Sequence, residues 1–127
     1  MIVVDSKDVS KVTVGTPPQQ RFARILLSPK LQPEVSDIAL GLAVVPAGNA
    51  TSPHMHPDLA ETFYVLSGRA EIRVGGESVI AGPDTVAYGP AGIEHQVLNA
   101  GDDELRFVFI YTPPGAEEPV LASLGIV

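Results

Sequence analysis

The sequence predicts an all-β fold made of antiparallel strands with little helix. Seven apolar runs of strand length recur along the chain, and most are bounded by Pro, Gly, Asn or Asp. No window carries an apolar stripe of helical period longer than two turns. Many short strands at a spacing of roughly ten residues, with no helix between them, are typical of an antiparallel sandwich or barrel.

The predicted strands cover residues 21–27, 38–45, 62–68, 70–76, 84–89, 95–99 and 105–111. The clearest of them begins at Ala70. There, Ala70, Ile72 and Val74 alternate with charged residues, which is the pattern of a half-buried antiparallel strand. Gly75 and Gly76 then supply a two-residue hairpin turn, so we expect the next segment to fold back on this strand.

The C-terminal part of the chain contains many apolar residues that we expect to be buried. Residues 105–111, LRFVFIY, are apolar on both faces, as expected of a central strand or an interface strand. Beyond them, Pro119 is expected to open a short helix and Gly125 to close it. Docking onto the barrel or onto a second subunit would bury this tail. Together with the apolar N-terminal IVV, the tail favours a homodimer.

Composition excludes several classes of partner and site. There are 8 Lys and Arg against 15 Asp and Glu, and no basic cluster that could follow a phosphate backbone, so nucleic acid is not an expected partner. The absence of cysteine excludes disulfides, thiolate metal sites and cysteine nucleophiles. No basic leader with a long apolar stretch and no run of about 18 apolar residues occurs, so we expect a cytoplasmic protein without a membrane span.

The stretch SPHMHPDLAETFYVLSG, residues 52–68, places the titratable residues His54, His56 and Glu61 beside the apolar run that begins at Phe63. Residues i and i+2 of an extended chain point to the same side, so a strand here would present both imidazoles to one face. Burying them unpaired would be costly. A divalent cation resolves the conflict, because neutral imidazole is the commonest metal ligand in proteins and a carboxylate can complete the set. The stretch therefore predicts a metal site.

Two motifs follow one another at a suitable separation. The first consists of Gly48, His54, His56, Glu61 and Gly68, separated by five, one, four and six residues. The second is PAGIEHQVLN, residues 90–99, which contains the third histidine of the chain, His95. Together the motifs resemble those of the cupin superfamily, in particular its small single-domain members, and the resemblance covers about residues 38–112.

The chain departs from the family pattern at one place. Seven residues separate Gly82 from Pro90 where the pattern usually has five, so we expect a bulge or a longer turn near Pro83 or Gly89. The spacing of the motif after Pro90 is intact.

The resemblance implies a jelly-roll β-barrel in which His54, His56, Glu61 and His95 bind one divalent transition metal inside the barrel. The length of 127 residues fits a single domain, residues 1–127. Its N-terminal strands (1–37) and C-terminal tail (113–127) are expected to pack on the barrel or on a partner subunit. The mixed nitrogen and oxygen donors suit Fe, Mn, Ni, Co or Zn and do not select among them.

Cupins with this ligand set include oxalate-processing enzymes, dioxygenases and polyketide cyclases. The resemblance therefore implies a metal-dependent enzyme that acts on a small oxygenated or anionic organic substrate. The expected chemistry is dioxygenase-like or decarboxylase-like, with the metal as Lewis acid or oxygen-binding centre. Two alternatives stay open: a non-catalytic metal-containing cupin that binds a small ligand, and a cyclase or isomerase that uses the same site.

Strand parity suggests which residues line the pocket. Phe63 and Val65 share the face of Glu61, and Val97 shares the face of His95, so these apolar side chains are candidates for contact with an aromatic or small aliphatic substrate. Glu61 is expected to be a ligand first and a displaced base second.

Two further polar residues are candidates for contact with the substrate, and each also has a purely structural interpretation. If the face of its strand that carries Arg24 points inward, the guanidinium would hold a substrate carboxylate in a bidentate manner; the alternative is an exposed charge on an edge strand. The hydroxyl of Tyr88 could orient substrate at the mouth of the barrel, or the ring could be a buried packing residue.

Overall fold

The computed structural model describes residues 1–127 as two antiparallel β-sheets with one short helix at the C-terminal end. A 3-10 turn at Ser6–Asp8 precedes the first strand. The strands are β1 (Val12–Thr16), β2 (Gln19–Leu27), β3 (Ala39–Val45), β4 (Ala60–Ser67), β5 (Ala70–Val74), β6 (Glu77–Ala81), β7 (Val86–Gly89), β8 (His95–Asn99) and β9 (Leu105–Thr112). Helix α1 (Glu118–Ala122) follows them. The predicted all-β class is confirmed.

The six-stranded sheet has the order β1-β2-β3-β9-β4-β7, and the three-stranded sheet has the order β6-β5-β8. Side chains from both sheets meet in one hydrophobic core, which includes Ala23 and Phe107 from the larger sheet and Ile72 and Val97 from the smaller one. Each sheet buries one face against the other, and the arrangement is jelly-roll-like.

Strand β9 is a central strand of the larger sheet, which was one of the two alternatives that the sequence left open for residues 105–111. It lies between β3 and β4, and its residues Leu105, Phe107, Phe109 and Tyr111 are buried. A Cβ atom on Gly41, which pairs with Phe109, would lie 2.1 Å from the ring of Phe109. The glycine therefore lets an aromatic ring lie directly on the sheet.

The predicted hairpin is present between β5 and β6. Val74 pairs with Glu77 across Gly75 and Gly76, and Gly75 has a φ of 58°. The returning strand β6 follows from the predicted turn but is not among the seven predicted apolar runs, and β1 was not predicted. Four of the five residues of β6 are exposed, so the strand has no continuous buried face to produce an alternating pattern.

The longer turn expected near Pro83 is present, and Asp84 at its tip has a φ of 65°. The backbone N–H of Asp84 donates to the carbonyl oxygen of Val65 at 2.9 Å, and the hydroxyl of Tyr64 donates to the Asp84 carboxylate at 3.0 Å. These two bonds hold the turn against β4 and offset the strain of the left-handed conformation.

The C-terminal tail packs on β2 of its own chain. Leu121 joins the hydrophobic core, and the buried carboxylate of Glu117 accepts hydrogen bonds from the Ser28 hydroxyl and the Gly115 N–H, both at 2.6 Å. Pro119 lies in the first turn of α1, as predicted. None of the helices has both the length and the apolar character needed to cross a bilayer.

Candidate metal centre

The four predicted ligands come from three parts of the fold. His54 and His56 lie on the segment that leads from β3 to β4, Glu61 lies at the start of β4, and His95 begins β8. His54 and His95 exchange two backbone hydrogen bonds, of 3.0 and 2.8 Å, which fix the first segment against β8. The carbonyl oxygen of His56 accepts from the Gly92 N–H at 2.8 Å, so the loop before β8 holds this residue as well.

All four side chains point to one place. The Nε2 atoms of His54 and His56 are each 3.3 Å from Oε1 of Glu61, and Nε2 of His95 is 2.8 Å from the same oxygen. One possible donor atom from each residue lies within 4.8 Å of the others. The structure thus assembles the predicted residues into a group that could hold a metal ion.

Hydrogen bonds on the outer side of two rings orient them for this role. Nδ1 of His54 is 2.8 Å from the carbonyl oxygen of Ser52, and Nδ1 of His95 is 3.4 Å from that of Ile93. With a metal bound, a proton on Nδ1 would leave the Nε2 lone pair of each neutral ring directed toward the ion. These two Nε2 atoms are only 2.9 Å apart, so a positive charge between them relieves the repulsion of their lone pairs. Three nitrogens and one carboxylate oxygen suit a divalent transition metal.

The charges of the site already favour a cation. Burial alone would raise the pKa of Glu61, but hydrogen bonds from the three imidazoles outweigh it and hold the pKa well below its usual range. Burial alone would lower the pKa of His54, but the hydrogen bonds to Glu61 and to the Ser52 carbonyl reverse the direction and raise it. Glu61 is therefore an ionised carboxylate, and His54 attracts a proton at the point where a metal would bind.

The centre is open on one side only. The side chains of His95 and Glu61 are 2% and 5% exposed, whereas those of His54 and His56 are 25% and 20% exposed. A molecule from solvent therefore approaches past His54 and His56, while the barrel interior closes the other side.

A small recess of about 10 Å³, room for about one water molecule, adjoins the centre. It is lined by Arg21, Thr51, His54, Glu61, Phe63, Phe107, Phe109 and Tyr111. Four larger hollows lie elsewhere, the largest between the edges at β6 and β7 and the next beneath the C-terminal tail, and none of the four is lined by any of the four donors. The chemistry of the donors, rather than cavity size, identifies the candidate site.

Of the apolar residues predicted to line the pocket, only Phe63 does so. Phe63 lines the recess, and its ring centroid is 5.4 Å from that of His95. Val65 and Val97 are buried on the same strand faces as Glu61 and His95, but they pack in the hydrophobic core and do not line the recess.

The structure corrects the inward-facing alternative for Arg24. Its neighbours Ala23 and Ile25 point into the core, so Arg24 points outward, and its Nε donates to the carbonyl oxygen of Val9 at 3.1 Å. Tyr88 is 61% exposed and lines the hollow between β6 and β7. It therefore neither reaches the recess nor packs as a buried ring.

Sequence reasoning missed Arg21, Thr51 and Tyr111. Arg21 shares the inward parity of Ala23 and Ile25, but the opposite parity of β2 is also apolar, so the sequence did not distinguish the two faces. Tyr111 reaches the site because it pairs with Glu61 across β9 and β4, a strand order that no local pattern reveals. Its ring centroid is 5.4 Å from that of His56, and burial strongly raises the pKa of its hydroxyl, with the Glu61 charge adding to the shift.

Comparison with solved structures agrees with the fold of the chain. In the Thermotoga maritima structure described as a predicted oxalate decarboxylase, the fold matches 89% of this chain and 100% of that one, with a TM-score of 0.79 and 20% identity. The polyketide cyclase RemF from Streptomyces resistomycificus matches over 91% of this chain and 82% of its own, with a TM-score of 0.75 and 22% identity. At these identities the likeness concerns the fold alone.

Sequence relatives give a closer relation. The polyketide synthase CurC of Streptomyces cyaneus is 35% identical over 101 residues, which are 80% of this chain and 64% of that protein. The chain thus spans less than two thirds of the length of this relative. The family model for the cupin domain matches residues 41–111, more than half of the chain and the part that carries all four donors. The chain therefore belongs to the cupin domain family.

Proposed function

We propose that this chain is a metal-dependent cupin enzyme that acts on an enolisable oxygenated substrate, in a reaction of the class carried out by polyketide cyclases. The observation that carries the proposal is the convergence of three imidazole Nε2 atoms on one carboxylate oxygen, in a centre that is open on one side. His54, His56, Glu61 and His95 would hold one divalent transition metal, of the group Fe, Mn, Ni, Co or Zn.

The sequence relatives favour the cyclase alternative over the dioxygenase and decarboxylase chemistry expected first. CurC, named a polyketide synthase, is 35% identical over most of this chain, and a protein named for tetracenomycin polyketide synthesis, TcmJ, is 30% identical over 71% of it. The decarboxylase-like neighbour is similar in fold at 20% identity. Identity in sequence carries more functional weight than fold, because one fold supports many reactions.

A metal bound at this centre supplies Lewis acidity toward a carbonyl or enol oxygen. Three neutral imidazoles and one carboxylate leave a dication with a net charge near +1, which favours an oxygen that becomes negative during the reaction. The bulky rings of Phe63, Phe107 and Phe109 form the apolar part of the recess. They exclude water from that side of the centre.

Glu61 acts in this proposal as a ligand and not as a base. A carboxylate with a strongly lowered pKa is a poor proton acceptor, because the charged form is already stabilised by the three imidazoles. The recess contains no other carboxylate and no further imidazole. A proton removed from substrate carbon would therefore pass to water on the open side, beside His54 and His56.

Metal analysis and carbon-acid exchange together test the proposal. Protein purified without chelators should contain near one equivalent of a transition metal, and it should accelerate deuterium exchange at the central carbon of a simple β-diketone followed by NMR in D2O. His56→Ala should lose both the metal and the exchange activity. Glu94→Gln, which changes an exposed carboxylate next to His95, is the matched control and should keep both.

Two results would contradict the proposal in different ways. Oxygen consumption with enol or catechol substrates would return the assignment to dioxygenase chemistry. A full metal equivalent retained by His56→Ala would refute the ligand set itself.

We also propose a homodimer in the cytoplasm. Exposed apolar side chains on β6 and β7, which are edge strands of the two different sheets, support association, namely Val79, Ile80 and Val86, which are 51%, 50% and 62% exposed. Light scattering on the purified protein should give twice the chain mass of 13.3 kDa. A mass of one chain across the micromolar range would rule out the dimer.

A further inference from the structure

We propose that Arg21, together with Thr51 and Tyr111, forms an anion-binding subsite beside the metal centre that holds a second negative oxygen of the substrate. The inference rests on the proposed function, because it assigns the substrate class of the same centre. The subsite would take a carboxylate or an enolate, so the substrate would carry two acidic oxygen groups close together, as a β-keto acid does.

The placement of Arg21 follows from the parity of β2. Ala23 and Ile25 are 1% and 3% exposed, and Arg21 lies on the same face of the strand, two residues before Ala23. The segment carries its arginine toward the open end of the barrel, where it lines the recess with His54 and Glu61. The cation is half-buried, which strengthens its interaction with a bound anion relative to an exposed one.

The polar groups of this subsite are mainly donors without partners. No ion pair of the chain includes Arg21, and its guanidinium makes no hydrogen bond with another residue. The hydroxyl of Tyr111 likewise makes no hydrogen bond with another residue. The carboxylate of Glu61 has only the three imidazole nitrogens as hydrogen-bond partners, so it is not a partner of this hydroxyl. Oγ1 of Thr51 accepts from the Val97 N–H, so its own proton is free to be donated.

The charges in the recess favour a negatively charged ligand. The whole chain has a formal charge of −7, so an anion is repelled at long range and needs a local positive field to bind. Arg21 and a metal partly neutralised by Glu61 supply that field inside the recess. A guanidinium also matches the two oxygens of a carboxylate in geometry, which a simple point charge does not.

The size of the recess limits what enters it. The recess has a volume of about 10 Å³, which is about the room that one water molecule needs. Only the terminal oxygens of a substrate would therefore enter it, and the carbon skeleton would stay on the open side beside His54 and His56.

Ligand binding to the cobalt-loaded protein tests the subsite with malonate as the probe. Visible absorption of Co²⁺ reports the loading of the centre and the arrival of each ligand. Arg21→Gln should weaken malonate binding by about tenfold or more, because charge-assisted hydrogen bonds are among the strongest in proteins. Arg21→Lys should be intermediate, since it retains the charge and loses the fork. Tyr111→Phe, which removes only a hydroxyl, should weaken malonate binding by a smaller factor.

Arg24→Gln is the matched control, because it removes an arginine from the outer face of the same strand and should bind malonate as the unchanged protein does. Imidazole, a neutral metal ligand, should bind all loaded variants within about twofold, since it makes no use of a guanidinium. Malonate binding to cobalt-loaded Arg21→Gln within about twofold of the unchanged protein would overturn the subsite and leave the metal enzyme standing. Failure of the unchanged protein to bind cobalt would overturn the proposed function, and the subsite with it.

Discussion

Metal removal should lower the melting temperature, because the four donor atoms converge only in the folded chain. His95 and Glu61 are almost fully buried, and they come from different sheets, so the unfolded chain offers no comparable site. Free metal at 100 times its dissociation constant stabilises the fold by about 2.7 kcal/mol. For 127 residues the entropy of unfolding is about 0.27 kcal/mol/K, so the expected shift is about 10 °C.

Thermal unfolding followed by circular dichroism measures this shift, with one sample metal-loaded and the other treated with chelator. His56→Ala should unfold at the same temperature in both samples, and Glu94→Gln should retain the full difference. A shift below about 2 °C in the unchanged protein at this saturation would refute the reasoning, as would a full shift in His56→Ala.

Three other perturbations have a definite expected direction. The raised pKa of His54 means that, without metal, this residue stabilises the fold below pH 6.5 and loses that contribution as pH rises through its folded pKa. Protons also compete with the metal for the imidazoles, so the difference in melting temperature between metal-loaded and metal-free protein should narrow from pH 8 to pH 6. An unchanged difference would contradict this reasoning. Ser28→Ala removes a hydrogen bond to the buried Glu117 carboxylate and should cost about 1.5–3 kcal/mol in urea unfolding, whereas a loss under about 0.5 kcal/mol would mean that the tail is not fixed there. Gly68→Ala should destabilise more than Gly48→Ala in the same assay, because both have positive φ but only at Gly68 would a Cβ meet backbone, 2.6 Å from the Glu104 oxygen; equal losses would contradict that reason.

Local chemistry was predictable from sequence, and sheet order was not. The hairpin at Gly75 and Gly76 is encoded by adjacent residues, and the spacing from His54 to Glu61 was recognisable before any fold was known. The sequence did not show which face of β2 points inward, because both of its faces are apolar, so Arg24 was proposed as the pocket arginine and Arg21 was missed. Which face points inward is set by long-range packing, because it depends on which strands cover each face.

The exposed parts of the fold were harder to predict for a related reason. Strand β6 has no continuous buried face, so it lacks the alternation by which a strand is recognised, and only its pairing with β5 establishes it. Tyr111 was correctly assigned to a central strand, although the face of β9 opposite to it is only partly covered, and its proximity to His56 depends on β9 lying next to β4. The residues missed at the site are therefore those whose role depends on the partner strand.

The position of the donors explains why one centre can join chemistry to stability. Glu61 belongs to the six-stranded sheet and His95 to the three-stranded sheet, while the segment that carries His54 is hydrogen-bonded along β8. A cation held by these residues therefore connects the two sheets at the open end of the barrel. Because the two sheets fix the direction of each donor, His54, His56, Glu61 and His95 would hold a metal beside the recess lined by Arg21 and Tyr111, and the bound metal would supply Lewis acidity there.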